Sequence, residues 1–583
     1  MDLVSQGKAM KLITRIFDVT TSTQPILKTT PQKPACAPQP LRAPLMRATP
    51  ESCGIPSARL CAFLRTLDAD RRSDMHGVMI LRDGKVVCEA GFGAYRTDVW
   101  HTTFSMCKSI TGLAIGILID DGVLSLDERL SDIFRKRARR LDLALIKNVT
   151  VEHLLTMSTG VLFNEASSMT EKDWVKGFLE SAHKLEPGRE FAYNSLNTYM
   201  LSAIVTEKTG KTLSEFLDER LFGPMGIEQY FWETCPKGIE KGGWGLYIRP
   251  EDAAKLGQLV MDYGVWNGKQ LVSRGWIERA SHTRIKTPDN LGGFDYGYQI
   301  WTQRGRDAFL FNGMFGQNVI GFRDTGIVIV SNAGNNEYFQ LSDYFKAVSA
   351  FFGPDFQLGG PLTPKPVDAA RLHRLQKRLG RAQLEHTGQF FARRKACAAL
   401  DGARYGFERR QVAAVGVMPL MLQAVQNNYT GGMDSAAFER RADGFYILIA
   451  EGGDTKAYRI GFRRPAYADV VYGGEPYRVG VTGRFARDED GVLVLSLRFS
   501  FIETAHSRLL KIYFTDASSA RFLFSEQPGR AYLELGLASS LEEFKANKLL
   551  EPLLGKADAG FIEYKIKSAF EPEATGRRTE EMR

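Results

Sequence analysis

Ser105 and Lys108 lie three residues apart at the start of a short apolar run that ends before Asp120. In a helix, residues at i and i+3 are neighbours on one surface, so the hydroxyl and the amine should face each other. Burial of the apolar run would remove water from the ammonium group and lower the pKa of Lys108, and a neutral amine can accept the serine proton. The pair therefore has the parts of an activated nucleophile. The same pattern also fits a helix-capping serine beside a lysine that extends to solvent.

A second candidate group is Tyr193, which begins the run Tyr193-Asn-Ser195 before another amphipathic helix. A phenol is a weak base at its ordinary pKa of ~10, but a neighbouring lysine would stabilise the phenolate. We therefore expect Tyr193 and Lys108 to share one proton relay. The alternative is that Tyr193 is a half-buried aromatic residue where a loop meets a helix.

A third element is the glycine-rich segment Asn312-Gly313-Met314-Phe-Gly-Gln317, which lies between two predicted strands. Glycines inside a strand leave room for another backbone or a ligand to approach closely. The main-chain N–H groups of Met314 and Ser105 would together form a two-donor oxyanion hole. A strand bulge that binds no ligand would produce the same pattern.

Taken in order, the three elements resemble the penicillin-binding proteins and the serine hydrolases related to class C β-lactamases. In that family Ser-x-x-Lys, Tyr-x-Asn/Ser and Lys/His-x-Gly follow one another along the chain. The resemblance covers roughly residues 48 to 352 and is closest to the branch of 6-aminohexanoate-dimer hydrolases and esterases. Further segments similar to the family begin at His76, Asp121, Val149, Gly242 and Tyr296.

The resemblance implies that Ser105 is the nucleophile and that Lys108 and Tyr193 transfer protons. It also implies that Ser195, Asn312, Gly313 and Met314 bind the substrate, with Met314 contributing to the oxyanion hole. Two positions depart from the family pattern. Phe311 stands where β-lactamases carry the lysine that binds a β-lactam carboxylate, so we expect β-lactamase activity to be weak or absent. Ser195 replaces the asparagine of the tyrosine motif.

The expected function is therefore hydrolysis of a small-molecule ester or amide through an acyl-enzyme, without metal or other cofactor. Two alternatives stay open. The first is a pseudo-hydrolase that binds acyl or peptidyl ligands without turnover. The second is a D-Ala carboxypeptidase, which the missing lysine and the absence of a recognisable export signal disfavour.

The length of 583 residues predicts two domains with terminal tails. We expect a disordered tail over 1–47, a hydrolase domain over 48–352, a linker with helices over 353–427, a β-rich domain over 428–570 and a disordered tail over 571–583. The fold class is α/β in the α+β sense. An antiparallel sheet flanked by helices, with a helical insert, should precede a C-terminal β-barrel or sandwich.

Composition excludes several other classes of protein. The net charge is +9, but seven basic residues and only two acids fall within 1–47, so the remainder is nearly balanced and nucleic-acid binding is not expected. Seven cysteines without Cys-x-x-Cys spacing indicate neither a disulfide framework nor a zinc site. No apolar run reaches the ~18 residues needed to span a membrane. A cytoplasmic location is expected, and the oligomeric state is not predicted.

Overall fold

Two large antiparallel sheets organise the chain, one of seven strands and one of ten. The computed structural model describes residues 32–579 except 71, 138, 140–142, 145, 170, 337–341, 382–386, 408–413 and 531–558. The strands in chain order are β1 (Met75–Arg82), β2 (Lys85–Gly91), β3 (His101–Thr102), β4 (Tyr230–Trp232), β5 (Leu246–Ile248), β6 (Val265–Trp266), β7 (Lys269–Gln270), β8 (Phe294–Tyr296), β9 (Trp301–Gln303), β10 (Ala308–Gly313), β11 (Gln317–Phe322), β12 (Ile327–Ala333), β13 (Arg404–Phe407), β14 (Met433–Arg441), β15 (Gly444–Glu451), β16 (Asp454–Arg459), β17 (Ala466–Tyr472), β18 (Glu475–Arg487), β19 (Leu493–Phe501), β20 (Ser507–Phe514), β21 (Ser519–Gln527) and β22 (Glu573–Arg578).

Helices lie mainly between β2 and β8 and between the two sheets. They are α1 (Ser57–Ala69), α2 (Cys107–Asp120), α3 (Leu130–Ile133), α4 (Val151–Leu155), α5 (Glu165–Ser168), α6 (Trp174–Leu179), α7 (Ser195–Thr209), α8 (Leu213–Leu217), α9 (Gly223–Met225), α10 (Pro250–Met261), α11 (Arg274–Ala280), α12 (Asp343–Phe352), α13 (Pro366–Leu379), α14 (Thr387–Leu400), α15 (Leu420–Gln426) and α16 (Ala559–Phe570). Short 3-10 turns occur at Phe104–Met106 and Met314–Gly316, among other places.

The seven-stranded sheet joins segments from both ends of its domain, in the order β2-β1-β12-β11-β10-β9-β8. Its central strands are buried throughout, because helices cover both faces. Successive residues of β1 face opposite sides of the sheet: Met79 belongs to one apolar core and Ile80 to the other. Helix α10 packs on β11 and β12, whereas α12 and α13 pack on α1.

Helix α2 is the apolar run that follows Ser105, and it is buried from Cys107 to Leu118. It packs against α7, the helix that follows Tyr193. Gly116 allows a close approach to a third helix, α11, since a Cβ atom at Gly116 would lie 2.2 Å from the indole nitrogen of Trp276 on that helix. Burial on all sides fixes α2 between the sheet and the helical insert.

The ten-stranded sheet forms the C-terminal unit, in the order β16-β15-β14-β13-β22-β21-β20-β19-β18-β17. Its two edge strands, β16 and β17, follow each other in the chain and contact each other, so the sheet is a nearly closed barrel with an apolar interior. The predicted fold class is thus confirmed, with a barrel rather than a sandwich.

Three details differ from the sequence-based expectations. Strand β13 lies inside the expected linker, and β22 lies in the expected C-terminal tail, where it pairs with β13 and β21. Residues 32–47 also make specific contacts, such as the buried ion pair of Lys33 with Glu503. Residues 1–31 and 580–583 lie outside the described residues. No helix of the described part is long and apolar enough to cross a bilayer.

Candidate active site

Ser105 lies in the 3-10 turn Phe104–Met106, directly before α2. Lys108 follows in the first turn of α2, and its Nζ donates a hydrogen bond of 2.8 Å to Ser105 Oγ. The hydroxyl and the amine are therefore in contact, as the sequence predicts. The turn is conformationally strained, because Phe104 has a φ of 45°, in the left-handed region that bulky residues rarely adopt.

The amine of Lys108 is buried with only 2% of the residue exposed. Besides Ser105 it donates to Ser195 Oγ at 2.9 Å and to the Gly243 carbonyl oxygen at 2.6 Å. Burial lowers the pKa of Lys108 from its usual 10.5 to about 8, although the negative charge of Glu165 acts in the opposite direction. A sizeable fraction of the amine is thus neutral near pH 8.

Tyr193 also reaches Ser105, since the two hydroxyl groups form a hydrogen bond. The Lys108 Nζ lies 5.0 Å from the centre of the Tyr193 ring. Burial raises the pKa of Tyr193 above its ordinary value of 10, and the hydrogen bond with Ser105 compensates only in part. This direction is opposite to the lowered pKa that the sequence predicts for Tyr193. Desolvation by burial favours the neutral phenol.

Ser195 begins α7, and the preceding Asn194 caps this helix through a hydrogen bond from the Leu196 N–H. The amide nitrogen of Asn194 also donates to the carbonyl groups of Val161 and Phe163, which fixes the cap to the neighbouring loop. Ser195 is 5% exposed and directs its hydroxyl at Lys108. The local cap thus sets the position of a residue that contacts the amine.

The glycine-rich segment meets the nucleophile turn at Gly313, the last residue of β10. A Cβ atom at Gly313 would lie 2.3 Å from the Thr103 carbonyl oxygen, so only glycine permits this approach. Met314 follows and is 40% exposed. Phe315 has a φ of 64° and is buried. The two strained residues Phe104 and Phe315 therefore flank the elements that carry Ser105 and Met314.

Asn312 is engaged elsewhere. Its side-chain amide donates to Asn318 Oδ1 at 2.7 Å across the β10–β11 pair, and the side chain is buried. Gln317 supports the same segment, because its amide nitrogen donates to the carbonyl oxygens of Met314 and Ala333. These bonds fix the shape of the turn after β10.

Two further groups escaped the sequence-based interpretation. Glu165 accepts a hydrogen bond of 3.0 Å from the Ser195 N–H and acts electrostatically on Lys108 and Tyr193. The Gly243 carbonyl accepts from Lys108, and a Cβ at Gly243 would lie 2.6 Å from the Ser195 carbonyl oxygen. The Gly242-Gly243 pair was visible in the sequence, but nothing local indicated what its carbonyl binds.

The described residues contain no group of three or more histidines, cysteines or carboxylates placed to hold a metal ion. Cys107, the nearest thiol in sequence, is buried and lies within hydrogen-bond distance of the Phe104 and Gly242 carbonyl oxygens. Burial raises its pKa, which keeps the thiol protonated.

The chain is similar to several known proteins. A family model described as Beta-lactamase matches residues 61–348. The 6-aminohexanoate-dimer hydrolase of Paenarthrobacter ureafaciens is 25% identical over 260 residues, which cover 40% of this chain and 65% of that protein. The D-aminopeptidase of Gluconobacter oxydans is 24% identical over 207 residues, covering 32% and 38%. The chain thus spans less than two thirds of the length of these relatives.

A solved structure, the octameric penicillin-binding protein homologue from Pyrococcus abyssi, shares 17% identity with a TM-score of 0.42, over 77% of this chain and 97% of that one. The order of the three sequence elements, the sheet built from both ends of the domain and the family model all concern the same stretch of chain. Through residues 61–348, the protein belongs to the beta-lactamase family.

Proposed function

We propose that the protein is a serine hydrolase that cleaves an ester or amide bond through an acyl-enzyme on Ser105. One observation carries the proposal: the Nζ of a buried lysine with a pKa of about 8 lies 2.8 Å from the Ser105 hydroxyl. Among the described contacts, this amine is held by two hydroxyls and a carbonyl, which leaves its charge without a direct carboxylate hydrogen bond. Such an amine is suited to be a general base.

In the first step, neutral Lys108 accepts the proton from Ser105 Oγ while the oxygen attacks the substrate carbonyl carbon. A C–O bond forms, and the carbonyl electrons move to the oxygen. The main-chain N–H groups of Ser105 and Met314 would stabilise this oxyanion. The close approach at Gly313 supports this assignment, because it brings the start of the Met314 turn beside the nucleophile turn.

In the second step, the oxyanion collapses, and the bond to the leaving alcohol or amine breaks. Tyr193, a neutral phenol, donates a proton to the leaving group and recovers one from protonated Lys108. Water then attacks the acyl-enzyme by the reverse route, which releases the acid and restores Ser105. The hydrogen bond of Tyr193 with Ser105 supports this order of proton transfers.

The substrate class is inferred from the residue at the position where related enzymes bind a substrate carboxylate. Phe311 is buried in the apolar core, 1% exposed, at the position of the lysine that would bind a β-lactam or peptide carboxylate. The nearby carboxylate of Glu165 adds negative charge. Both features favour neutral or cationic esters and amides over D-Ala peptides. The name of the relative 6-aminohexanoate-dimer hydrolase supports cleavage of an amide bond.

The test combines a fluorophosphonate probe with a panel of short-chain esters, linear amides and D-Ala-D-Ala peptides. We expect the probe to label Ser105, and esters or amides to turn over faster than the peptides. Ser105→Ala should lose labelling and at least about a thousandfold in kcat/KM. Ser109→Ala is the matched control, because this buried serine one helical turn further on donates instead to the Gln299 carbonyl oxygen.

Undiminished hydrolysis by Ser105→Ala would disprove the proposal. Labelling of the parent without any turnover would favour the pseudo-hydrolase. Preferential hydrolysis of the D-Ala peptides would favour the carboxypeptidase.

A further inference from the structure

The C-terminal barrel touches the nucleophile turn through the tip of its β19–β20 hairpin, residues Ile502 to His506. The Thr102 N–H, three residues before Ser105, donates to the Glu503 carbonyl oxygen at 2.8 Å. The Trp100 indole N–H donates to Glu503 Oε2 at 2.7 Å. The hairpin tip is thus bonded to the strand that leads into the catalytic turn.

The side chain of Glu503 fixes the hairpin tip through contacts with the barrel and with the N-terminal segment. Glu503 Oε1 accepts from the Arg478 N–H at 2.8 Å, and Oε2 accepts from Lys33 Nζ at 2.8 Å. The Glu503 and Lys33 side chains are only 1% and 2% exposed. A fully buried, paired carboxylate of this kind gives the tip one position rather than several.

His506, the last residue of the tip, packs against the two strained residues of the active site. Its ring centre lies 6.2 Å from that of Phe104 and 5.6 Å from that of Phe315, both edge to face. Phe104 and Phe315 lie 5.0 Å apart, also edge to face. The three rings form an aromatic cluster, which we call the buttress, directly behind Ser105 and Met314.

The buttress explains how two left-handed phenylalanines persist. Such a conformation costs about 1–3 kcal/mol for a residue with a side chain and needs surrounding contacts that hold it. Apolar residues of the C-terminal unit complete the enclosure; they are Ala414, Leu420, Met421, Ala505, Ile566, Ala569 and Phe570. Part of the packing that holds the Ser105 turn and the Met314 turn together therefore comes from the other domain.

We propose that His506 is a positioning residue, whose ring holds Phe104 and Phe315 so that the Ser105 hydroxyl and the Met314 N–H keep their reactive geometry. The inference rests on the proposed function, since it concerns the same site. It assigns the barrel a role in the chemistry, beyond that of an appended binding module.

The experiment compares His506→Ala with His506→Phe. A displacement of catalytic groups by about 1 Å can cost roughly a hundredfold in rate, so we expect His506→Ala to lose tenfold or more in kcat with KM changed less than twofold. The rate of fluorophosphonate labelling should fall in parallel. His506→Phe keeps a flat ring and should retain kcat within about threefold.

The phenylalanine variant also separates positioning from general stability. Both ring nitrogens of His506 are buried without a hydrogen-bond partner among the described residues, so an apolar ring should raise Tm. Leu510→Ala is the matched control, because Leu510 lies on the same strand but in the barrel interior. It should lower Tm without changing the kcat of the folded enzyme.

A kcat of His506→Ala within twofold of the parent, while Ser105→Ala is inactive, would overturn the inference and leave the proposed function intact. Activity in Ser105→Ala would instead refute the proposed function. If His506→Ala does not fold, His506→Leu replaces it. Leucine fills the space without a flat edge, and an unchanged kcat in that variant would equally overturn the inference.

Discussion

Two buried polar clusters, one in each domain, differ in the partner of their cation. In the barrel, Arg508 and Glu526 are both 0% exposed and form a 2.8 Å ion pair. Glu526 also accepts the Leu420 and Met421 N–H groups, and Arg508 donates to the Gly416 carbonyl oxygen. In the catalytic domain, Lys108 is equally buried but hydrogen-bonds to two hydroxyls and a carbonyl.

The difference shows what makes a buried cation reactive. A cation paired with a carboxylate stays charged and serves structure. A lysine surrounded by neutral dipoles keeps its hydrogen bonds, but no bonded carboxylate offsets the desolvation of its charge. The pKa of Lys108 therefore falls to about 8. Burial lowers the pKa of both cations, so the sites differ in the partner and in the cation itself, since a guanidinium stays protonated in proteins.

The largest expected effect is that of Lys108→Met, which removes the base and fills its volume. We expect kcat to fall by roughly 10²- to 10⁴-fold, because general base catalysis is lost. The free energy of unfolding should change by less than about 2 kcal/mol, since the three acceptors that lose their donor are uncharged and the methionine fills the volume of the lysine. Steady-state kinetics and urea unfolding measure both. A loss of stability as large as that expected for Arg508→Met would remove the contrast between the two clusters.

Arg508→Met tests the structural cluster. Breaking a buried pair leaves Glu526 charged and unpaired, so we expect a loss of about 3–5 kcal/mol in the free energy of unfolding. Arg508→Met combined with Glu526→Leu should recover part of that loss, because no charge is then left buried. The measurement is urea unfolding of all three proteins. An Arg508→Met variant as stable as the parent would show that this pair does not hold the barrel.

The pH dependence follows from the direction of the Lys108 shift. The reaction needs the neutral amine, so kcat/KM should fall roughly tenfold per pH unit below about 8 and level off above it. Tyr193, with its raised pKa, should impose no limit in that range. Rate profiles from pH 6 to 9.5 test this sign. A profile that falls as the pH rises would assign the base to another group.

The smallest effect is expected for Glu165→Gln. The glutamine oxygen can still accept the Ser195 N–H, but the negative charge that raises the pKa of Lys108 is gone. The midpoint of the pH profile should move to lower pH by less than about one unit. Glu180→Gln is the control, since Glu180 pairs with Lys176 at the surface. An upward shift would contradict the proposed electrostatics.

Much of the fold was accessible from local patterns. The hairpin around Asp83-Gly84, helix α12 and most barrel strands follow from alternating or helical spacing and turn residues. Strands β13, β17 and β22 were missed. β22, Glu573–Arg578, is polar and becomes a strand only because β13 and β21 lie on both sides of it.

The sequence by itself determined that Ser105 and Lys108 are neighbours, because three residues of a helical turn place them on one face whatever surrounds them. It also places a glycine at 313, but only the folded chain shows that no side chain fits there, because the Thr103 carbonyl oxygen approaches it. Only the tertiary structure decided that Lys108 meets Gly243 and Ser195, that burial raises the pKa of Tyr193, and that His506 from the barrel packs behind Ser105. Burial and long-range packing set these properties, and neither depends on spacing along the chain.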